Sequence, residues 1–374
     1  MVYNTSDIYI ERYDILSTGK APGKLYLAGE YAVVETGFPA VIASVNQYVT
    51  AHITKSENGG TIQSKNLNKE LIHWDRQGTE LVFDDTESQL QYILSAINFV
   101  EKYALEKNAK LDYYDLLVTS ELDSKDGKKY GLGSSAAVTV AVVKTLGDFY
   151  HLNLTAMDVY KLSAISHLSV QGNGSLGDIA ASAFGGIVAY KSPDRNWVFN
   201  MVRNHSLTKL LELHWPELKI ETLKLPENLE LTVGWTGSPA STSILVDRIA
   251  LSKAQKVEKY QHFLKSSRAN VEHLIDGFRS NNSELIKDMI SKYRSLLADL
   301  ADFSDVHIET EMLAQLCDIA EKFGGAAKTS GAGGGDCGIV ISNRQIEIDQ
   351  LKEEWKKVGI TPLTLKIGEI IAHA

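Results

Sequence analysis

Gly131-Leu132-Gly133-Ser134-Ser135-Ala136-Ala137 turns on glycines and runs straight into an apolar stretch carrying Val138, Val140, Val142, Val143 and Leu146. Backbone N–H groups at such a turn, together with the positive end of the helix that follows, form a site for a phosphate or another anion. Ser134 or Ser135 can cap that helix and offer a hydroxyl to a metal ion or a phosphate oxygen. Ala136 and Ala137 leave room for the anion close to the backbone. An ordinary capped helix after a tight turn has the same pattern, so the chemistry depends on what accompanies it.

Three other stretches accompany it. Gly172-Asn173-Gly174-Ser175-Leu176-Gly177-Asp178 has the glycine spacing of a dinucleotide fingerprint, but Leu162 to Ser169 ahead of it reads as a helix, where a fingerprint needs a strand. Asp178 at the mouth of a small-residue helix is favoured as the anion by the helix dipole. Lys328 to Gly338 holds five glycines in eight residues, from Gly331 to Gly338. Ordering so much glycine is costly, which suggests that backbone there approaches a ligand or another segment closely. Near the N-terminus, Lys20 and Lys24 flank the rigid turn Pro22-Gly23. A lysine entering a strand at that point, with Leu25 and Leu27 packed inward, can be held pointing into a cleft, although lysines are most often solvated.

Several other machineries are missing. No Gly-Lys pair is followed by the Ser or Thr of a Walker P-loop, and Asp336-Cys337-Gly338 has no His-Arg-Asp loop to make it a protein-kinase metal site. None of the ten histidines forms a His-Glu-x-x-His zinc helix. The two cysteines, Cys317 and Cys337, make neither a disulfide framework nor a zinc pattern, which suits a reducing cytosol.

The chain has 374 residues, 44% hydrophobic and 23% charged, enough for two domains with full cores. Its formal charge of −9 argues against a nucleic-acid binder, and an anionic small substrate would need local cations. Met1 to Leu16 lacks the layout of a signal peptide, and no apolar run approaches the ~20 residues of a membrane span. The expected location is the cytoplasm, with neither membrane nor nucleic acid as a partner.

The elements that would position these residues follow from periodicity. Ile8 to Ile53 reads as strands of an N-terminal sheet, Glu87 to Lys107 as an amphipathic helix and Leu116 to Val118 as a strand feeding the turn at Gly131. Val138 to Tyr150 and Ala156 to Leu168 read as helices, and Gly185 to Tyr190 as a return to strand. Pro226-Glu227-Asn228 separates two short strands, Leu218 to Leu225 and Leu229 to Trp235, with different partners, so domains of 1–226 and 227–374 are expected. Beyond it, Thr242 to Leu300 is mostly helical, and Ile308 to Phe323 lies on one helix stopped by Gly324-Gly325. Strands at Ile339 to Ile341 and Leu363 to Ile367 surround a helix from Ile346 to Val358.

Pro22-Gly23-Lys24 with Gly29-Glu30-Tyr31, then Gly131 to Ala137, then Lys328 to Gly338, together resemble the three motifs of the GHMP small-molecule kinases. The resemblance covers most of the chain. It implies an α+β, two-domain fold: an N-terminal ribosomal-protein-like sheet and helix domain and a C-terminal ferredoxin-like α/β sandwich, with the active site between them. Lys24 to Tyr31, Gly172 to Asp178, Gly234 to Thr242 and the ending Gly335 to Gly338 are most similar to the branch whose acceptor is 5-phosphomevalonate. The implied reaction is transfer of the ATP γ-phosphoryl group to that ester in isoprenoid biosynthesis. Mevalonate or another acceptor of the same family, and a non-catalytic metabolite sensor on the same fold, are the alternatives. The resemblance leaves a homodimer open.

Carried over residue by residue, Gly131, Leu132, Gly133, Ser134, Ser135 and Ala136 would wrap the ATP phosphates, with Ser134 or Ser135 meeting magnesium. Lys24 and Asp178 fall at the catalytic positions. Ser175, Ser238, Ser241, Thr242 and the loop Gly331-Ala332-Gly333-Gly334 would face the acceptor. A phosphate monoester with a second pKa of about 6 is already mostly dianionic at neutral pH. It needs no strong base, so Asp178 is expected to orient Lys24 and the acceptor, and Lys24 to matter more by neutralising charge. Mevalonate kinases of the family carry a metal-binding glutamate eleven residues before the catalytic aspartate, and here that position is His167, a poor magnesium ligand read as a packed helix residue.

Overall fold

The computed structural model describes residues 15–64, 68–83, 90–123, 128–238 and 242–372, with the side chains of 68–70 and 242–244 left aside. The expected strand residues Ile8 and Ile10 lie outside the described residues. Eight strands form the first sheet: β1 (Ile15–Ala28), β2 (Pro39–Lys55), β3 (Gly60–Ser64), β4 (Asn68–Gln77), β5 (Glu80–Phe83), β6 (Tyr114–Ser120), β7 (Ile187–Lys191) and β8 (Lys219–Leu223). Their order is β5-β4-β3-β6-β2-β7-β8, with β1 paired to β2. The long β2 is the hinge of this sheet. Residues 39–43 pair with β7 and residues 49–55 with β6, and residues 41–44 and 48–54 pair antiparallel with β1. The β1–β2 register slips between Pro22 and Lys24, where Gly23 stands opposite three residues of β2, 45–47, that do not pair with β1, and Lys24 emerges beside this irregularity.

One face of this sheet is covered by α1 (Gln91–Glu106), α2 (Ser134–Phe149), α3 (Ala156–Gln171) and α4 (Gly177–Phe184); α5 (Arg195–Asn204) and α6 (Leu207–Glu212) follow β7. Helix α2 is apolar nearly all round, with Val138, Val140, Val142, Val143 and Leu146 buried between β1, α1 and α3. A helix of that composition is stable only inside a core. Its first turn is thereby fixed relative to β1.

The second sheet holds β9 (Leu229–Trp235), β10 (Ala326–Thr329), β11 (Cys337–Asn343) and β12 (Thr361–Leu363) in the order β10-β11-β9-β12. The two strand candidates flanking Pro226 do have different partners: β8 pairs with β7 and β9 with β11 and β12. Helices α7 (Thr242–Gln255), α8 (Val257–Arg279), α9 (Ser283–Ser304), α10 (Glu311–Lys322) and α11 (Ile348–Lys357) complete the chain. Leu316, Val340, Leu351, Trp355 and Ile360 form a small core under α10 and α11. The C-terminal segment returns to the first sheet, where Ile367 bridges Val45 and Ile370 bridges Gly185.

Three sequence expectations change. The strands from Gly60 to Phe83 were not anticipated, because β4 carries Asn, Lys, Glu, His, Asp and Arg among its residues and its buried alternation is limited to Ile72 and Trp74. Helix α10 begins after its cap Thr310, whose side chain accepts from Leu313 N, so Ile308 is a buried loop residue. The last strand is Thr361–Leu363, shorter and earlier than Leu363 to Ile367.

Candidate active site

Helix α2 starts at Ser134 with Gly133 as its cap in the left-handed conformation, φ 75°, and no side chain among the described residues caps it. The expectation that Ser134 or Ser135 caps the helix is therefore corrected: both lie inside the first turn, where a hydroxyl cannot reach forward to cap. The first-turn amides and the positive helix end are instead turned to a cleft of about 500 Å³. An uncapped helix start beside a cavity is the arrangement that receives an anion. Ala136 and Ala137 are wholly buried, behind the loop rather than on the cleft.

Lys24 enters this cleft from β1, next to the break in its register with β2. Its backbone N–H donates to Leu132 O at 2.9 Å, tying strand to loop, and its Nζ lies 3.4 Å from Asp178 Oδ2 and 3.5 Å from Gly131 O. The lysine side chain is 9% exposed and the aspartate 33%, so the cation is held while the carboxylate still meets the cleft. Gly133 is required here, since a Cβ on it would sit 2.8 Å from Lys24 Cε in a backbone conformation that side chains rarely adopt. Asp178 occupies the first turn of α4, behind Leu176 at φ 68°. The fingerprint-like glycine run thus follows α3, not a strand, and opens no dinucleotide site of that kind.

Tyrosines that sequence reading missed support this part of the cleft, Tyr26 lining it and Tyr190 and Tyr160 standing behind it. Tyr26 OH lies 3.1 Å from Ser175 Oγ, and Lys24 Nζ sits 5.4 Å from the Tyr26 ring centre. Burial first, and the charge of Asp178 second, push the Tyr26 hydroxyl well above its ordinary pKa, so it stays protonated. Tyr190 OH donates to Ser175 O at 2.7 Å and meets Tyr160 OH at 3.0 Å.

His167 lies under the loop, its Nε2 3.2 Å from Ser135 Oγ and its ring stacked on Tyr92 at 4.8 Å. Burial pushes its pKa down to about 4, against a smaller upward pull from Asp178, so it is neutral at pH 7. Its Nδ1 is buried without a partner among the described residues. Among the described residues no group of three or more His, Cys, Asp or Glu side chains could hold a metal ion.

Gly331 and Ala332 close the cleft from the second sheet. This loop joins β10 to β11 and is clamped from outside. Lys328, fully buried, pairs with Glu30; Gly331 N donates to Glu30 Oε1 at 3.4 Å and Tyr31 OH to Ala332 O. Gly334 N donates to Ile308 O at 2.7 Å, and Asp336 N to Ser238 O at 2.7 Å.

Of the residues singled out from sequence, Lys24, Gly131, Leu132, Gly133, Ser134 and Ser135 line one cleft with Ser175, Asp178, Gly331 and Ala332. Gly333 and Gly334 face Ile308 instead, and Ser238 is exposed and contributes its carbonyl to the loop. Ser241 lies outside the described residues, and Thr242 opens α7. Glu30, Tyr31 and Lys129 also line the cleft; Glu30 and Tyr31 stood in the motif, but only the fold shows what they touch.

The family model for the GHMP kinases N terminal domain matches residues 91–186, and that for the GHMP kinases C terminal matches 274–361. The chain is 35% identical over 357 residues to a phosphomevalonate kinase of Streptomyces sp. (strain CL190), covering 92% of this chain and 95% of that one. It is 29% identical over 336 residues to a mevalonate kinase of Thermococcus gammatolerans, covering 88% and 90%. Phosphomevalonate kinase of Streptococcus pneumoniae, solved in complex with phosphomevalonate and AMPPNP, superposes with a TM-score of 0.82 at 31% identity, covering 94% of this chain and 99% of that one. A Listeria innocua protein superposes with a TM-score of 0.90 at 38% identity, covering 94% and 98%.

Proposed function

The chain belongs to the GHMP kinases, and we propose that it transfers the γ-phosphoryl group of ATP to 5-phosphomevalonate, giving 5-diphosphomevalonate and ADP. The observation that carries this reading is Lys24, held between an uncapped helix start and Asp178 in a cleft whose walls come from both sheets. The relatives support the acceptor: the S. pneumoniae enzyme is matched over almost its whole length.

An oxygen of the acceptor phosphate attacks the γ-phosphorus as the bond to the β,γ-bridging oxygen breaks, and ADP leaves with that electron pair. Two anions must meet for this, so the chain's contribution is position and positive potential. The first-turn amides of α2 hold the nucleotide phosphates. Lys24 lies where the γ-phosphoryl group and the incoming phosphate meet, and Asp178 keeps Lys24 aimed. Magnesium fits as an ion carried mainly by nucleotide phosphates and water, with Ser134 or Ser135 as a hydroxyl ligand, because such ions often take few protein ligands. It would neutralise charge on the β and γ oxygens. Neutral His167 supplies no second ligand.

The division between domains falls in this reading near Pro226, where the chain leaves β8 for β9. A cytoplasmic location belongs to the same proposal and is supported by the two cysteines, free and buried, which suit a reducing compartment. No helix among the described residues is long and apolar enough to cross a membrane.

The test is ADP release from magnesium-ATP with mevalonate, 5-phosphomevalonate, 5-diphosphomevalonate, homoserine and galactose in parallel. Turnover confined to 5-phosphomevalonate is expected. Turnover with another acceptor would overturn the substrate and keep the family; ligand binding without ADP release would make the chain a sensor.

A further inference from the structure

We propose that Arg195 is a positioning residue for the anionic acceptor, fixing the two rims of the acceptor end of the cleft and lending that end its positive potential. The inference rests on the kinase reading above. Arg195, half-buried at the start of α5, does not line the cleft. Its Nη1 donates to Asn173 O at 2.9 Å and to Gly174 O at 3.0 Å, while its Nη2 donates to Val34 O at 2.6 Å. One guanidinium therefore joins the loop before α4 to the 3-10 turn Ala32–Val34. Both segments line the cleft, through Asn173, Gly174 and Ser175 on one side and Val33 and Val34 on the other.

Ser175, read from the sequence as facing the acceptor, belongs to the first of these rims, and its hydroxyl meets Tyr26 OH at 3.1 Å in the same cleft as Lys24, so in the kinase reading the rims border the acceptor. Three consecutive carbonyls there are engaged by donors outside the cleft: those of residues 173 and 174 by Arg195 and that of Ser175 by Tyr190 OH. The negative ends of those dipoles are thereby neutralised where an acceptor bearing a phosphate and a carboxylate must enter. In a chain of net charge −9 such local compensation has to be built in. The connection is reinforced by Ser192 Oγ, which donates to Glu35 O at 2.7 Å, so the segment before α5 holds the turn at two successive carbonyls. Only a forked, planar donor can span both rims at once; lysine can satisfy one.

Arg195→Ala and Arg195→Lys are compared with the wild type by steady-state kinetics, varying ATP and acceptor separately. Because the kinase reading sets these rims against the acceptor, the alanine variant should raise the acceptor KM about 10- to 100-fold and leave the ATP KM within about twofold. Arg195→Lys should fall between, which keeps the test informative if the alanine variant folds poorly. Guanidinium ion at millimolar concentration should restore acceptor KM in Arg195→Ala and change nothing in the wild type. An unchanged acceptor KM, or KM values for ATP and acceptor rising together without rescue, would overturn the proposal. A wild type that uses a different anionic acceptor refutes the substrate assignment alone, and the same KM ratio is then read with that acceptor.

Discussion

Two glycine-rich loops face each other across the cleft, Gly131 to Gly133 and Gly331 to Gly335, and they differ in where their backbone donors go. The first ends in a helix that no side chain among the described residues caps, so its amides are open to the cleft. The second is tied down on every side, by Glu30 to Gly331, Tyr31 to Ala332, Ile308 to Gly334 and Ser238 to Asp336. Its glycines answer to packing: a Cβ on Gly333 would lie 2.2 Å from Ile308 O. Similar composition therefore serves two purposes, and the partner of each N–H decides between an anion site and a clamp.

The widest separation between the loops is expected at Lys24, which belongs to the first. Lys24→Ala should lower kcat about 10³-fold with little loss of thermal stability, since it removes a charge directed at the transferring group. A fall of less than tenfold would mean that the helix start alone carries the chemistry.

Glu30→Gln addresses the second loop. Lys328 would remain buried at 0% exposure opposite a neutral amide, and breaking a buried pair from one side costs about 3 kcal/mol or more. The expected result is a markedly lower unfolding midpoint in urea with the ATP KM nearly unchanged. If the ATP KM rose and stability held, the second loop would be a nucleotide site and the contrast would collapse.

His167 supplies a pH arm beneath the first loop. Its pKa is lowered from the ordinary 6.5 to about 4 by burial. Between those values the unfolded chain takes up a proton that the folded chain does not, so stability is full above pH 6.5 and is lost as pH falls through the window. The loss should reach about 2 to 3 kcal/mol near pH 4. Denaturant titrations of His167→Gln should lack this component, and an unchanged slope against pH in the variant would show that the ring is not the source.

Most of the cleft was legible in the sequence because its parts carry local signatures. Lys24 after Pro22-Gly23, the Gly131 to Ser135 turn and Asp178 opening a small-residue helix are each visible within a few residues. What was not legible is what depends on distant partners. Glu30 meets Lys328 across 298 positions, Arg195 meets Val34 across 161, and neither spacing leaves a mark on periodicity. The β3 to β5 strands escaped for a different reason: in β4 only Ile72 and Trp74 carry the buried face, too short an alternation among charged and polar residues to stand out. Serine before an apolar helix is also an ambiguous signal. At Gly133 the left-handed backbone turned out to make the cap, leaving Ser134 and Ser135 for the cleft.

The smallest effect is expected at Asp178, and it decides what kind of chemistry the first loop faces. A carboxylate acting as an obligatory base contributes about 10²- to 10⁴-fold, and its removal abolishes the acidic limb that it sets. A carboxylate that only aims Lys24, 3.4 Å away, leaves the lysine near its place when made an amide, because the pairing of β1 with β2 and the Lys24 N–H to Leu132 O bond still hold its backbone. Asp178→Asn should therefore cost about tenfold in kcat, far less than Lys24→Ala. The acidic limb of the profile should stay near pH 6, where the acceptor phosphate loses its second proton. A loss as deep as that of Lys24→Ala, with the limb gone, would assign Asp178 the proton and make the nucleophile a hydroxyl rather than a phosphate oxygen.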